Sequence, residues 1–328
     1  MKSFANANAR TFQQAVSLAQ QARRDGKAVS FGGGGSDLLT LVKERLVSPD
    51  VIVALRSPGD TGIAQNGQGL AIGGLATLDA IGRDAVVRAR YTVLAEAAES
   101  VATPQIRNVA TVAGNVCQRP WCWYYRNGFP CFKNGGTSCF SVTGENQFHA
   151  IFGGGPSYIV HPSDTAPALV ALDATFRIVG PAGTRTVPAG EFFTLPRVDT
   201  ARENALATDE LLAGISLPQP RSGVRSTYHK IMDRETWTHA VVSAAVVLDM
   251  DGGVCRDARV VLGGVAPIPW RVPEVEKMLA GQRITPDLAA RAGEQAVANA
   301  RPLEKNKYKV PLTRNLVRRT VLELAQKA

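Results

Sequence analysis

The chain of 328 residues contains no apolar run of membrane-spanning length; its best stretch, 240–248, is the size of a strand. The first residues, Met1-Lys2-Ser3-Phe4-Ala5-Asn6, lack the apolar core of a signal peptide. That implies a cytoplasmic protein by its own signals, or a periplasmic one exported together with a partner. Histidine is scarce: His149, His161, His229 and His239 are scattered and make no His-x3-His metal pair. Basic residues exceed acidic ones to a formal charge of +9, yet they form only short pairs such as Arg23-Arg24 and Arg318-Arg319. No nucleic-acid-binding signature accompanies them, so the charge reads as a solvated surface or a docking face for a partner subunit. Cysteine is limited to five residues, four of them between Cys117 and Cys139. An odd, clustered set without an export signal argues against a disulfide framework and for a metal site.

What is present is an ordinary globular composition, 45% hydrophobic and 20% charged, in a chain long enough for two or three domains. The patterning alternates at first. A helix over 12–24, capped by Thr11 and stopped by Gly26, precedes a strand over 28–31, a helix over 37–46 and a strand at 51–55. A second segment begins near Ser57-Pro58-Gly59-Asp60, with a strand at 70–75, a short helix opened by Thr77 and a longer helix over 93–101. Beyond an irregular cysteine-rich stretch come a helix over 164–171, a hairpin of 175–179 with 185–187, and a strand at 211–217. The joint Pro218 to Ser222 marks a domain boundary. Strands at 227–231, 240–249 and 258–262 follow, then helices over 272–279, 286–298 and 315–326, the order of a small α+β unit.

Three motifs carry chemistry. Phe31-Gly32-Gly33-Gly34-Gly35-Ser36-Asp37 lies between a strand and a helix. Glycines let the backbone approach a ligand, and successive free N–H groups suit a pyrophosphate. The spacing matches neither Gly-x-Gly-x-x-Gly nor a phosphate loop ending in Gly-Lys-Ser, so on its own it is equally a tight turn. The second, Ile106-Arg107-Asn108-Val109-Ala110-Thr111-Val112-Ala113-Gly114-Asn115, offers small residues for close packing and an amide with donor and acceptor. On composition alone it reads as a buried strand and a turn. The third is Cys117-x4-Cys122-x8-Cys131-x7-Cys139, which has neither zinc-ribbon nor ferredoxin spacing. Soft thiolates favour iron–sulfur or zinc, and the aromatics from Trp121 to Phe140 would exclude water. Buried structural thiols are the bland alternative. Such an irregular insertion needs a cross-link to be stable.

Taken in order, Gly33-Gly34-Gly35-Ser36-Asp37-Leu38, Pro104-Gln105-Ile106-Arg107-Asn108, Thr111-Val112-Ala113-Gly114-Asn115 and Pro162-Ser163-Asp164-x-Ala166-Pro167-Ala168-Leu169 resemble the FAD-binding medium subunit of the xanthine dehydrogenase/aldehyde oxidoreductase family. The resemblance continues through Glu210-Leu211-Leu212, Lys230-x-x-x-Arg234 and Tyr308-Lys309 over nearly the whole chain. It implies an α+β protein: a two-part FAD-binding domain of the vanillyl-alcohol-oxidase/PCMH type over 1–220, then a small α+β domain over 221–328. Phe31, Gly32, Gly33, Gly34, Gly35, Ser36, Asp37 and Leu38 would cradle the FAD pyrophosphate. Thr111, Gly114 and Asn115 would contact the phosphate and ribityl region, Asp164 would hydrogen-bond the cofactor, and Leu212 and Lys230 would approach from the far side. The sequence departs from the family in its four glycines and in Ala113, where a second glycine is usual.

One branch of that family carries a [4Fe-4S] cluster in an insertion at this point, here about 116–158. Cys122, Cys131 and Cys139 match the branch. Cys117 is the substitute for the fourth ligand, since Ser157 stands where relatives place a cysteine, and Ser157 is the alternative. The implied role is electron relay. A molybdenum-cofactor large subunit would hydroxylate an aldehyde or N-heterocycle, a small subunit would pass electrons through [2Fe-2S] centres, and FAD on this chain would deliver them to an acceptor. The chain itself would hold no hydroxylating residue. A stand-alone flavin oxidase and a zinc-stapled assembly module are the rivals.

Overall fold

In the computed structural model the structure describes residues 2–55, 60–67, 69–235 and 238–327. Most of the expected turn at Ser57-Pro58-Gly59 lies outside them. The N-terminal unit is a parallel sheet in the order β1 (Ala5–Ala9), β3 (Val51–Leu55), β2 (Val29–Gly32). The helix Phe12–Arg24 crosses between β1 and β2. Its Thr11 hydroxyl accepts from the Gln14 N–H, and Phe12, Ala15, Val16, Ala19 and Ala22 recur at helical spacing and are buried against the sheet. Strand β1 had no sequence signal: its Ala and Asn residues are poor strand formers, held by their pairing with β3.

A second sheet is antiparallel, in the order β4 (Ile63–Asn66), β5 (Gly69–Gly73), β8 (Leu211–Leu217), β6 (Thr175–Gly180), β7 (Gly183–Pro188). Helices Thr92–Glu99 and Thr165–Ala171 fill one side of it. The stretch 109–115 is not a strand. Thr111 caps a short helix, Val112–Val116, by accepting from the Gly114 N–H at 3.2 Å.

Past the Pro218 joint comes a third sheet, in the order β12 (Trp270–Arg271), β11 (Val254–Gly263), β10 (Val242–Asp251), β9 (Val224–Ile231), with β13 (Gln282–Arg283) beside β11. One face packs on its own helices, Pro273–Leu279, Pro286–Val297 and Lys309–Gln326. The other face sends Tyr228, Ala245 and Val261 into the core of the preceding unit. Glu96 fixes this contact, accepting from the Thr227 hydroxyl (2.8 Å) and the Tyr228 N–H (2.7 Å). The last helix begins earlier than expected because Pro311 falls in its first turn, where no N–H partner is lost.

The cysteine-rich insertion has only the one-turn helix Trp123–Arg126 and a 3-10 turn at Phe132–Asn134. Ion pairs and carbonyl contacts fix it at both ends. Arg126 pairs with Asp37 (2.9 Å) and Glu44 (3.2 Å), and buried Lys133 pairs with Glu203 (2.7 Å). On the far side Asn306 donates to the carbonyls of His149 and Ala150. Lys309 donates to those of Phe148 (3.0 Å) and Gly264 (2.7 Å).

Lys309 is fully buried, and burial pushes its pKa down from 10.5 to about 7. The unfolded chain therefore holds this proton up to higher pH than the folded chain does. A penalty present below pH 7 is relieved as pH rises from about 7 towards 10.5. Melting temperatures of wild type and Lys309→Met across that range should show the wild type gaining relative to the variant as pH rises. Parallel curves would contradict the buried-amine account.

Candidate cofactor site

Strand β2 delivers the glycine loop to the turn that precedes the helix Val112–Val116. A Cβ built on Gly34 would overlap the Val109 carbonyl oxygen, and one on Gly33 would come within 3.0 Å of Thr111 Oγ1. Gly35 has φ +76°, a conformation that side chains resist. Backbone thus meets backbone, and Gly33, Gly34, Gly35, Thr111, Gly114 and Cys117 line a hollow of about 200 Å³. Phe31, Ser36, Asp37 and Leu38 line it too, while Gly32 is buried against Ile52. The following helix, Leu38–Lys43, has six residues and no side-chain cap. Asp37 is engaged elsewhere, by the Arg126 guanidinium and the Arg119 N–H.

Asn115 faces the other way. Its Oδ1 accepts from the Ser163 and Thr165 hydroxyls, both at 2.6 Å, which leaves its Nδ2 as the free valence and pins the segment around Asp164. Asp164 is 4% exposed. Its carboxylate accepts from the Tyr228 hydroxyl at 2.7 Å and the Lys230 ammonium at 2.7 Å; Lys230 also donates to the Ser100 carbonyl. Burial, then the Asp164 charge, raises the Tyr228 pKa well above 10, so the phenol stays a donor. Tyr228 went unread in the sequence, although its place two residues before Lys230 puts both on one face of β9. Leu212 sits in the core of β8, 3% exposed, and lines none of these hollows.

From the glycine loop a cavity of about 310 Å³ runs past Ile106 and Asn115 to Asp164 and His239. A third, of about 410 Å³, lies beyond and shares Trp121, Pro162, Asp164, Thr238 and His239 with it. The rings of Trp121 and His239, with centroids 5.1 Å apart, form the partition. Burial lowers the pKa of His239, and that of His161 to about 4, so both are neutral at neutral pH. His239 carried no signal in the sequence, whereas His161 stands out there as the residue before Pro162-Ser163-Asp164.

The thiols divide. Cys122, Cys131 and Cys139 lie close enough for the last two to act on the Cys122 charge, within a shell of Tyr124, Tyr125 and Phe140. Cys117 stands apart from them, at the glycine loop, with burial alone pushing its pKa up to about 12. The helix Val112–Val116 ends at Cys117 and turns its side chain toward that hollow rather than into the insertion. Ser157 is buried, and its neighbour Tyr158 donates its N–H to Cys139 Sγ at 3.5 Å. Among the described residues no group of three or more His, Cys, Asp or Glu side chains is arranged to hold a metal ion.

Removing one member of a buried ion pair strands the other. Lys230→Met should destabilise the fold by ~3–5 kcal/mol in urea unfolding, and the double variant Lys230→Met/Asp164→Asn by clearly less. Equal losses would mean that the Lys230–Asp164 charge pair is not what matters.

A family model described as the FAD binding domain in molybdopterin dehydrogenase matches residues 2–220, and one for the CO dehydrogenase flavoprotein C-terminal domain matches 227–324. The aldehyde oxidoreductase FAD-binding subunit PaoB of Escherichia coli K12 is 32% identical over 100% of both chains. The carbon monoxide dehydrogenase medium chain of Hydrogenophaga pseudoflava is 27% identical over 94% of this chain and 92% of its own. A solved structure of carbon monoxide dehydrogenase from that organism superposes with a TM-score of 0.77 at 26% identity, covering 98% of this chain and 96% of the other. The chain belongs to the family of FAD-binding medium subunits of molybdenum hydroxylases.

Proposed function

We propose that the chain is the FAD-carrying electron-transfer subunit of a heteromeric molybdenum hydroxylase acting on an aldehyde or N-heterocycle. Its partners are a large subunit with the molybdenum cofactor and a small one with [2Fe-2S] centres. The observation that carries the reading is the backbone contact at Gly34, beside which Gly33, Gly34, Gly35 and Gly114 line a hollow. The hollow suits a diphosphate, and the cavity running from it to Asp164 suits the remainder of a dinucleotide. When bound, FAD supplies one- and two-electron chemistry. The protein's own part is positional. The amides of Gly33 to Ser36 would neutralise the diphosphate, Gly114 would let it approach closely, and Asn115 Nδ2 would donate. Asp164, held by Lys230 and Tyr228, would present a fixed carboxylate edge, and Trp121 with His239 would keep water out. The match of residues 227–324 to a flavoprotein C-terminal domain, rather than to a substrate cap, favours relay over a stand-alone oxidase.

The same reading places a [4Fe-4S] cluster in the insertion. Buried Cys131 and half-buried Cys122 and Cys139 lie near one another among aromatic side chains, which suits such a cluster. For the fourth ligand the reading takes Ser157 over Cys117, because Tyr158, next to Ser157, donates to Cys139 Sγ while Cys117 lines the glycine hollow.

Purified as the complete complex, Gly34→Val should keep its secondary structure but lose most of its flavin, read from the visible spectrum after denaturation. Full flavin in that variant would remove the cradle. Iron analysis should find about four fewer irons per complex in Cys122→Ala, Cys131→Ala and Cys139→Ala, and an unchanged count in Cys117→Ala. Zinc in place of that iron, or loss in Cys117→Ala, would contradict the assignment.

A further inference from the structure

The hollow at the glycine loop has two charged side chains in its lining among the described residues, Asp37 and Arg119. Asp37 is satisfied: one oxygen accepts from the Arg126 guanidinium and the other from the Arg119 N–H. The Arg119 guanidinium is not. Its Nε and Nη2 are buried and make no hydrogen bond, although Nε lies 2.9 Å from Glu203 Oε2. The same carboxylate already carries the Lys133 ammonium at 2.7 Å, so two cations share one anion. Asp37 and Glu44 share Arg126 in turn, and what sets Arg119 apart is therefore its open donors rather than net charge. An unfilled buried donor is costly unless something bound supplies its acceptor. The guanidinium is also held in place: its Cζ lies 5.0 Å from the centre of the buried Tyr125 ring. Set between Glu203 and Tyr125, the side chain still keeps 31% of its surface open. A fixed guanidinium with spare donors suits a phosphate. No glycine motif points to it, because Arg119 lies just past the stretch that ends at Asn115, at the start of the cysteine-rich insertion.

We propose that Arg119 is a phosphate-binding residue of this hollow, placing its guanidinium on the diphosphate of the dinucleotide that the glycine loop cradles. The proposal rests on the flavin reading for the identity of that dinucleotide. It makes the insertion part of the cofactor site. Glu203, the ion-pair partner of Arg119, also holds Lys133, which lies between Cys131 and Cys139, so the diphosphate and the cysteine loop share one charge network.

The test is titration of the complete complex, stripped of flavin, with FAD. Arg119→Gln should raise the Kd for FAD about tenfold or more, and Arg119→Lys, which keeps the charge, should raise it less. Added KCl should weaken FAD binding more steeply in wild type than in Arg119→Gln, because the variant has lost a charge that salt screens. Equal affinity in Arg119→Gln and wild type would overturn the proposal. So would weaker binding with the salt dependence of wild type intact, which would make Arg119 a structural member of the Glu203–Lys133 network and nothing more. A wild-type complex that binds no FAD would sink the flavin reading and this proposal with it, whereas failure confined to the comparison of variants sinks the proposal alone.

Discussion

The approach of one peptide backbone to another at Gly34 is the constraint on which the rest of the molecule turns. A side chain there would overlap the Val109 carbonyl, so the loop leaving β2 and the turn before the helix Val112–Val116 can meet only through glycine. That contact sets Thr111, Gly114 and Cys117 around a hollow of backbone amides. Asn115, on the same short helix, then carries the order onward by holding Ser163 and Thr165, and with them Asp164.

Asp164 joins the two halves. Its ion pair comes from Lys230 and its hydrogen bond from Tyr228, both on the first strand after the domain joint. The sheet that bears them packs its inner face into the preceding core, so the boundary at Pro218 separates segments of sequence more than it separates cores. The insertion is similarly bound into its surroundings. Arg126 ties it to Asp37 beside the glycine loop, and Asn306 and Lys309 tie it to the C-terminal unit. Order in the glycine loop and order in the cysteine loop are thereby physically linked.

Much of this was legible in the sequence. The helix Phe12–Arg24 and the strands Val51–Leu55 and Leu211–Leu217 fall where capping, periodicity and turn residues put them. What local pattern could not supply was anything set by distant partners. Strand β1 exists because β3 pairs with it, and the stretch at Val109 became turn and helix because Thr111 caps it. Spacing placed Cys117 with the other thiols, whereas the helix it ends turns it toward the glycine loop. Tyr228, Trp121 and His239 matter through contacts 60 or more residues away in sequence, such as the 64-residue separation of Tyr228 and Asp164, and no short motif records such a distance.

The claim at the centre is that two stretches, one at the glycine loop and one at the Thr111 turn, hold the same diphosphate. Amide hydrogen exchange of the complex, with FAD bound and after FAD has been stripped, reads both at once. The account predicts that FAD slows exchange together at Gly33 to Ser36 and at Thr111 to Asn115. Slowing in only one of the two stretches, or in neither, would contradict it.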